Sequence, residues 1–156
     1  MKQDYIQLNT GEKMPLLGLG VYKMHGVEAE IAVASAIQMG YRLIDTATAY
    51  NNEKEVGLAI RNSGIARHEF FITTKVPNTS QGYDNTFKAF DNSMKALNID
   101  YIDLYLVHWP IKATRKETWK AVEQLYNDKR VRSVVLPITS SHSSMNWLLI
   151  VILFQQ

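Results

Sequence analysis

The amino-acid sequence predicts an α/β protein in which repeated strand–helix units are arranged around a parallel sheet. Between residues 16 and 135, short apolar runs with strand character alternate with longer segments whose apolar residues recur at helical spacing. The 156 residues are 46% hydrophobic and 21% charged, a composition typical of a folded globular domain. A chain of this length favours a single domain.

The predicted elements follow one another in a regular order. The chain opens with a hairpin of strands 5–8 and 13–16 across Thr10 and Gly11. In the longest helix, apolar residues separated by 4, 3, 4 and 3 positions form one face that packs on the sheet: Tyr83, Phe87, Phe90, Met94 and Leu97. After the hairpin, the predicted strands are 16–22, 41–46, 69–76, 101–107 and 131–135, and the helices between them are 27–39, 52–62, 83–97 and 117–127.

Local signals support the predicted helix ends. Gly40 stops the helix 27–39, and Gly64 lies just beyond the helix 52–62. Glu53 places negative charge in the first turn of the helix 52–62, where the helix dipole favours it.

Charge and cysteine content exclude several classes of protein. With 17 Lys and Arg against 15 Asp and Glu, the formal net charge is +2, so we expect no nucleic-acid partner. The absence of cysteine excludes disulfides, thiolate nucleophiles and cysteine-ligated metal sites, and we expect no metal site at all. No run reaches the roughly 18 apolar residues of a membrane span, and the polar first residues do not resemble a secretory signal. We therefore expect a cytoplasmic protein with no membrane partner.

Four polar residues lie at or just after the carboxyl ends of predicted strands, where parallel α/β proteins collect their functional groups. Asp45 and Lys75 end the second and third strands, His108 ends the fourth, and Tyr50 lies in the loop after the second. Each has a structural interpretation when taken alone: a turn cap, a lysine that reaches solvent, a loop histidine, a packed ring. Together they predict an acid, an amine, an imidazole and a phenol that converge on one pocket.

These four groups fit an acid site that polarises a carbonyl. A phenol with a pKa near 10 is a poor proton donor, and a neighbouring Lys75 ammonium is expected to lower the pKa of Tyr50. Asp45 would keep that lysine charged and oriented, and His108 would bind a substrate oxygen or the phenol itself. No side chain supplies a hydride, so reduction at such a site needs a nicotinamide or similar cofactor.

The residues around these positions resemble the aldo-keto reductase family. The segments are LIDTATAYNNE at 43–53, TK at 74–75, DYIDLYLVHWP at 100–110 and MPLLGLGVY at 14–22. The resemblance covers roughly residues 5 to 135 and implies a (β/α)8 TIM-type barrel that reduces aldehydes or ketones with NADPH, or with NADH. An unrelated doubly wound domain would need a glycine-rich phosphate loop, and Gly18-Leu19-Gly20 lacks the third glycine of that motif.

The resemblance also implies a role for each site residue. Asp45, Tyr50, Lys75 and His108 match the family's catalytic tetrad, with Tyr50 as the general acid. Trp109 and Tyr22 would line the substrate pocket. The positions implied to bind the cofactor are Gly20, Val21, Tyr22 and Asp45.

The sequence departs from the family after residue 135. A (β/α)8 barrel needs about 250 residues, whereas here the signals suffice for four strand–helix units and a fifth strand, about the first half. We therefore expect residues 1–135 to be a partial barrel and residues 136–156 to be a divergent tail that is not native to it. We hypothesise a one-base frame slip near codon 134, because the shifted codons of Met145, Asn146 and Trp147 encode the Glu-Leu pair common in the family's next helix.

Two functions remain open from the sequence. The first is an NADPH-dependent carbonyl reductase, present as an N-terminal half with little or no turnover. The second is a non-enzymatic barrel fragment, because the open edges of a half barrel favour self-association or pairing with a complementary half.

Overall fold

The computed structural model describes residues 3–135 of the chain. It opens with the predicted hairpin, in which strand β1 (Tyr5–Gln7) pairs antiparallel with β2 (Lys13–Pro15). The turn between them contains Gly11, whose φ of 88° lies in the left-handed region that glycine adopts without steric cost. Residues 136–156, for which the sequence predicts a divergent tail, lie outside the described residues.

Within residues 3–135, five parallel strands form the main sheet, and they lie side by side in the order of the chain. Each strand is joined to the next through a helix, so the predicted four strand–helix units and fifth strand are present. This arrangement is that of one side of a (β/α) barrel. The strands are β3 (Gly18–Gly20), β4 (Leu43–Asp45), β5 (Phe71–Val76), β6 (Ile102–Val107) and β7 (Val131–Val135), and the helices are α1 (Gly26–Gln38), α2 (Glu53–Asn62), α3 (Tyr83–Leu97) and α4 (Arg115–Asn127).

The strand β3 is shorter than the predicted strand 16–22. Leu16 belongs to the hairpin, because its N–H donates to the carbonyl of Asp4 at 2.9 Å. The predicted strands 41–46 and 69–76 also begin later than expected, at Leu43 and Phe71. A short 3₁₀ turn, Arg67–Glu69, precedes β5. These differences are confined to the ends of elements, where assignments shift by one or two residues.

The two faces of the sheet are covered differently. Side chains that alternate along each strand point to opposite faces, so Ile72 and Tyr105 enter the large apolar core beneath the helices. On the other face Phe71 and Leu104 form a smaller apolar cluster with Leu8, which follows β1. The amino-terminal hairpin therefore covers part of the face that carries Lys75, and the carboxyl ends of the strands remain accessible.

The sheet has two edges within residues 3–135. β3 pairs only with β4, and β7 pairs only with β6. In the same part of the chain, no helix is both long and apolar enough to cross a membrane.

Candidate active site

The structure brings together the four residues that the sequence placed at strand ends. Asp45 is the last residue of β4, Lys75 is the penultimate residue of β5, and His108 directly follows β6. Tyr50 ends a short 3₁₀ turn, Thr48–Tyr50, between β4 and α2. Their roles in catalysis stay predictions, but their convergence is a feature of the fold.

The Lys75 ammonium is the centre of this group. Its Nζ donates to both carboxylate oxygens of Asp45, at 2.9 and 2.8 Å, and to the Thr46 carbonyl at 2.9 Å. It also lies 3.4 Å from the Tyr50 phenol oxygen. The Lys75 side chain is 4% exposed and that of Asp45 is 38% exposed, so a buried cation is held by a carboxylate that reaches solvent. Burial lowers the pKa of Lys75, and the Asp45 carboxylate opposes that effect.

The phenol of Tyr50 differs from the sequence-based expectation. Its pKa is raised above 10.0, first by burial and then by the negative charge of Asp45 and the neighbouring Tyr22. The expected lowering of the Tyr50 pKa by Lys75 does not appear, because burial of the phenol and the negative charge of Asp45 both raise it. The phenol is therefore protonated at neutral pH, the form in which it can donate.

A side chain of the Tyr50 turn, Thr48, is hydrogen-bonded to two neighbouring elements. The Thr48 hydroxyl donates to the carbonyl of Lys75 at 3.2 Å and lies 3.0 Å from the hydroxyl of Ser93 in α3. Because the accepting carbonyl belongs to Lys75 itself, this contact fixes the turn relative to the residue that carries the ammonium.

His108 lies beside the phenol. Its ring meets the Tyr50 ring edge-on, with 5.7 Å between centroids, and its N–H backbone group donates to Val76 at 3.2 Å. Burial lowers the pKa of His108 below 6.5, and the Lys75 ammonium lowers it further. The imidazole is therefore neutral at physiological pH and has one nitrogen to donate and one to accept.

Two exposed aromatic rings flank the opening. Tyr22 is 64% exposed and packs on Tyr50 with 5.0 Å between ring centroids, while Trp109 is 55% exposed and stacks on His108 at 6.4 Å. Their positions agree with the implied substrate-lining role, which remains a prediction. The Lys23 ammonium lies 5.5 Å from the Tyr22 ring.

The implied cofactor positions lie at the end of β3, beside Asp45. Apart from Gly20 itself and its chain neighbours, no atom of residues 3–135 lies within 4 Å of where a Cβ of Gly20 would stand, so the space next to it is open to this part of the chain. Val21 is fully buried, and its N–H donates to the Asp45 carbonyl at 3.1 Å. The open side of this strand end is therefore Gly20 and Tyr22, with Val21 anchoring them from within.

A groove of about 490 Å³ runs from the Tyr50 turn past His108. It lies between that turn and the loop after β5, and it is lined by Thr48, Ala49, Asn51, Pro77, Asn78, Thr79, Ser80, His108 and Trp109. Within residues 3–135, no group of three or more His, Asp or Glu side chains is arranged to hold a metal ion. The groove therefore presents hydroxyl, amide, imidazole and aromatic groups to a ligand.

Sequence reasoning missed two residues that shape this site. Gln81 is buried and holds the loop after His108, donating to the Trp109 carbonyl at 2.6 Å and accepting from Ile111 at 3.0 Å. Asn52, which the sequence marks only as a helix start, bonds three partners near Asp45. Both act on backbone groups of distant segments, for which the sequence carries no local signal.

Comparison with known proteins connects this site to a family. The sequence profile of the Aldo/keto reductase family matches residues 16–148. Glyoxal reductase from Bacillus subtilis (strain 168) is 50% identical over 133 residues, which are 85% of this chain and 48% of that protein. The chain thus spans about half the length of the curated relatives it matches.

Solved structures give the same result. The aldo/keto reductase from Brucella melitensis matches with a TM-score of 0.86 and 47% identity, over 90% of this chain and 56% of that one. A Bombyx mori aldo-keto reductase in complex with NADP matches with a TM-score of 0.79 and 35% identity, over 87% and 50%. The predicted TIM-barrel class is confirmed, with about half of the fold covered. The chain belongs to the aldo-keto reductase family.

Proposed function

We propose that this chain carries the proton-donating residues of an NADPH-dependent carbonyl reductase that converts aldehydes or ketones to alcohols. The observation that carries the proposal is the Lys75 ammonium, which is held by both Asp45 oxygens and lies 3.4 Å from the Tyr50 phenol. The name of the Bacillus subtilis relative, glyoxal reductase, supports a small carbonyl substrate. The cytoplasmic location expected from the sequence is part of the same proposal.

In this proposal Tyr50 gives its proton to the carbonyl oxygen of the substrate. Its raised pKa keeps the proton in place until charge develops on that oxygen. The Lys75 ammonium then stabilises the phenolate left behind, and Asp45 keeps the ammonium charged in a buried position. The neutral imidazole of His108 orients the substrate oxygen by a hydrogen bond.

The residues present fit a nicotinamide cofactor because they supply an acid and no reductant. NADPH, when bound, supplies the hydride that the carbonyl carbon receives. The cofactor would lie in the open space beside Gly20, where the exposed ring of Tyr22 and the solvent-facing edge of Asp45 would hold it. The NADP in the Bombyx mori neighbour supports this class of cofactor.

The experiment that tests the proposal is oxidation of NADPH, and separately of NADH, in the presence of a panel of aldehydes that includes glyoxal. We expect slow turnover that Tyr50→Phe abolishes. Glu117→Gln is the control, because among residues 3–135 the ion-pair partner of Glu117 is Lys120, on the exposed surface of α4. Turnover that survives Tyr50→Phe would overturn the assignment of the acid.

A second candidate function is a non-enzymatic fragment that associates through its barrel edges. Val27 and Ile31, one turn apart on the outer face of α1, are exposed, and Leu16 and Leu17 are exposed beside β3. Within residues 3–135, β3 pairs only with β4, so Leu16 and Leu17 lie beside a strand edge that no other described strand covers. Light scattering during size exclusion separates the candidates: a concentration-dependent dimer without turnover supports the fragment, and a monomer that turns over supports the reductase.

A further inference from the structure

A fully buried asparagine, Asn52, joins the ends of β3 and β4 beside the acid site. Its Nδ2 donates to the carbonyl oxygens of Val21 at 2.8 Å and Met24 at 2.9 Å, and its Oδ1 accepts from the Thr46 hydroxyl at 2.6 Å. Both donors of the amide are therefore used, together with one acceptor position. These partners define which way the amide points, because only its nitrogen can donate to two carbonyls.

The place of Asn52 in the chain makes these contacts informative. Asn52 is the N-cap residue of α2, where an asparagine side chain ordinarily accepts from a backbone N–H of the first helical turn. Here it makes no such bond. The side chain instead bonds backbone groups 31 and 28 residues earlier. The helix thus forgoes a local stabilising contact in favour of one that organises the strand ends.

Two of the three partners of Asn52 are hydrogen-bonded to residues of the acid site. The carbonyl of Thr46 accepts from the Lys75 ammonium at 2.9 Å, and the Thr46 hydroxyl is the group that Asn52 holds. Val21 donates through its N–H to the Asp45 carbonyl at 3.1 Å. Because Tyr22 lies between the two carbonyls that Asn52 binds, the same side chain restrains the backbone that presents the Tyr22 ring to Tyr50.

We propose that Asn52 is a positioning residue that sets the Tyr50 phenol against the Lys75 ammonium and the Tyr22 ring. It acts through Thr46 on one side and through the backbone of residues 21–24 on the other. The inference rests on the proposed function for its catalytic meaning, but it predicts a geometry that can be measured without turnover.

The test uses the full chain with every tyrosine ring carbon labelled with ¹³C, so that Cζ reports the titration of the phenol and the ring C–H groups report contacts between rings. Of its eight tyrosines, the signals of Tyr50 and Tyr22 are identified by their loss in Tyr50→Phe and Tyr22→Phe. Asn52→Leu keeps most of the side-chain volume and removes all three hydrogen bonds, and Asn52→Ala removes them without added bulk. Ser133→Ala is the matched control, since it removes a buried hydroxyl contact, 2.8 Å from Thr10, elsewhere in the sheet.

We expect the unaltered chain and Ser133→Ala to show a nuclear Overhauser contact between the rings of Tyr22 and Tyr50. In both, the Tyr50 phenol should titrate above 10.0. In both Asn52 variants the ring contact should be lost and the pKa of Tyr50 should fall toward 10.0, because burial and the Tyr22 ring no longer act on it.

Two results would overturn the inference. One is a cooperatively folded Asn52 variant that keeps the ring contact and the Tyr50 titration. The other is failure of both variants to fold, which would make Asn52 a residue of the fold and not of the site. A chain without turnover whose Tyr50 titration still moves in the Asn52 variants would contradict the proposed function and support the positioning role.

Discussion

The Lys75 ammonium contacts both carboxylate oxygens of Asp45 and is 3.4 Å from the phenol oxygen of Tyr50. A partly exposed carboxylate and a phenol thus share one buried cation. The arrangement keeps the phenol protonated at rest and offers a positive charge when the proton leaves.

Replacing Asp45 should show how much its carboxylate stabilises the buried Lys75 ammonium. In Asp45→Asn the carboxylate no longer supports the charged amine, so we expect the pKa of Lys75 to fall further and the pKa of Tyr50 to fall toward 10.0. The free energy of unfolding should fall by about 2 kcal/mol, because a buried charged hydrogen bond is lost. Urea unfolding and NMR titration of the two side chains measure these effects. An unchanged Tyr50 titration would contradict the coupling described above.

The structure predicts that His108 makes stability sensitive to mild acid. Its pKa is lowered from 6.5 in the folded chain, so the unfolded chain binds the proton first as the pH falls. The stability linked to His108 is therefore complete above pH 6.5 and is lost between 6.5 and its lower folded pKa. Urea unfolding between neutral pH and pH 5 should show this slope in the unaltered chain and a flatter one in His108→Gln. Equal slopes would contradict the direction of the shift.

Glu53 is expected to have the opposite pH dependence to that of His108. Its carboxylate is buried and accepts from the Thr74 hydroxyl at 2.6 Å, and burial raises its pKa above 4.5. The folded chain therefore binds the proton first, and stability rises as the pH falls through the raised pKa toward 4.5. Glu53→Gln keeps an acceptor for Thr74 and should be more stable than the unaltered chain at neutral pH. A less stable Glu53→Gln chain would show that the carboxylate's hydrogen bonds outweigh its burial.

Gly57 should be the glycine least tolerant of a side chain in the helical layer. A Cβ there would clash with the Leu97 backbone carbonyl, which already accepts from Arg61 at 2.7 Å. Because backbone cannot move aside as a flexible side chain can, Gly57→Ala should lower the free energy of unfolding by about 3 kcal/mol. Gly20→Ala, whose Cβ would meet no described atom within 4 Å beyond its chain neighbours, is the control and should change the free energy of unfolding by less than about 0.5 kcal/mol. Similar losses in both variants would contradict the close approach of α2 and α3.

The sequence predicted the elements better than their contacts. The helix α3 has the predicted bounds, because an amphipathic spacing runs from Tyr83 to Leu97. The first strand of the parallel sheet, β3, was predicted too long. The apolar character of Leu16 does not reveal that its N–H donates to the Asp4 carbonyl in the hairpin. The four site residues could be predicted because the functional groups of their side chains and their positions at strand ends are both visible in the sequence.

The properties that the sequence could not predict depend on distances between groups in the folded chain. The direction of the Tyr50 pKa shift follows from burial and from Asp45 as well as from Lys75, and these contributions are fixed only by distance. The role of Asn52 depends on the carbonyls of Val21 and Met24, backbone groups that every residue carries. Such contacts have no sequence pattern of their own.

The central claim is that Tyr50 protonates a carbonyl while the cofactor reduces it. It is tested most directly with NADPH whose nicotinamide ring carries deuterium in place of the transferable hydrogen, by following transfer of that deuterium to an aldehyde. Mass spectrometry of the alcohol detects even a few turnovers by the full chain. We predict one deuterium on the carbonyl carbon with the unaltered protein and none with Tyr50→Phe. Unlabelled alcohol, or equal labelling by both proteins, would contradict the account.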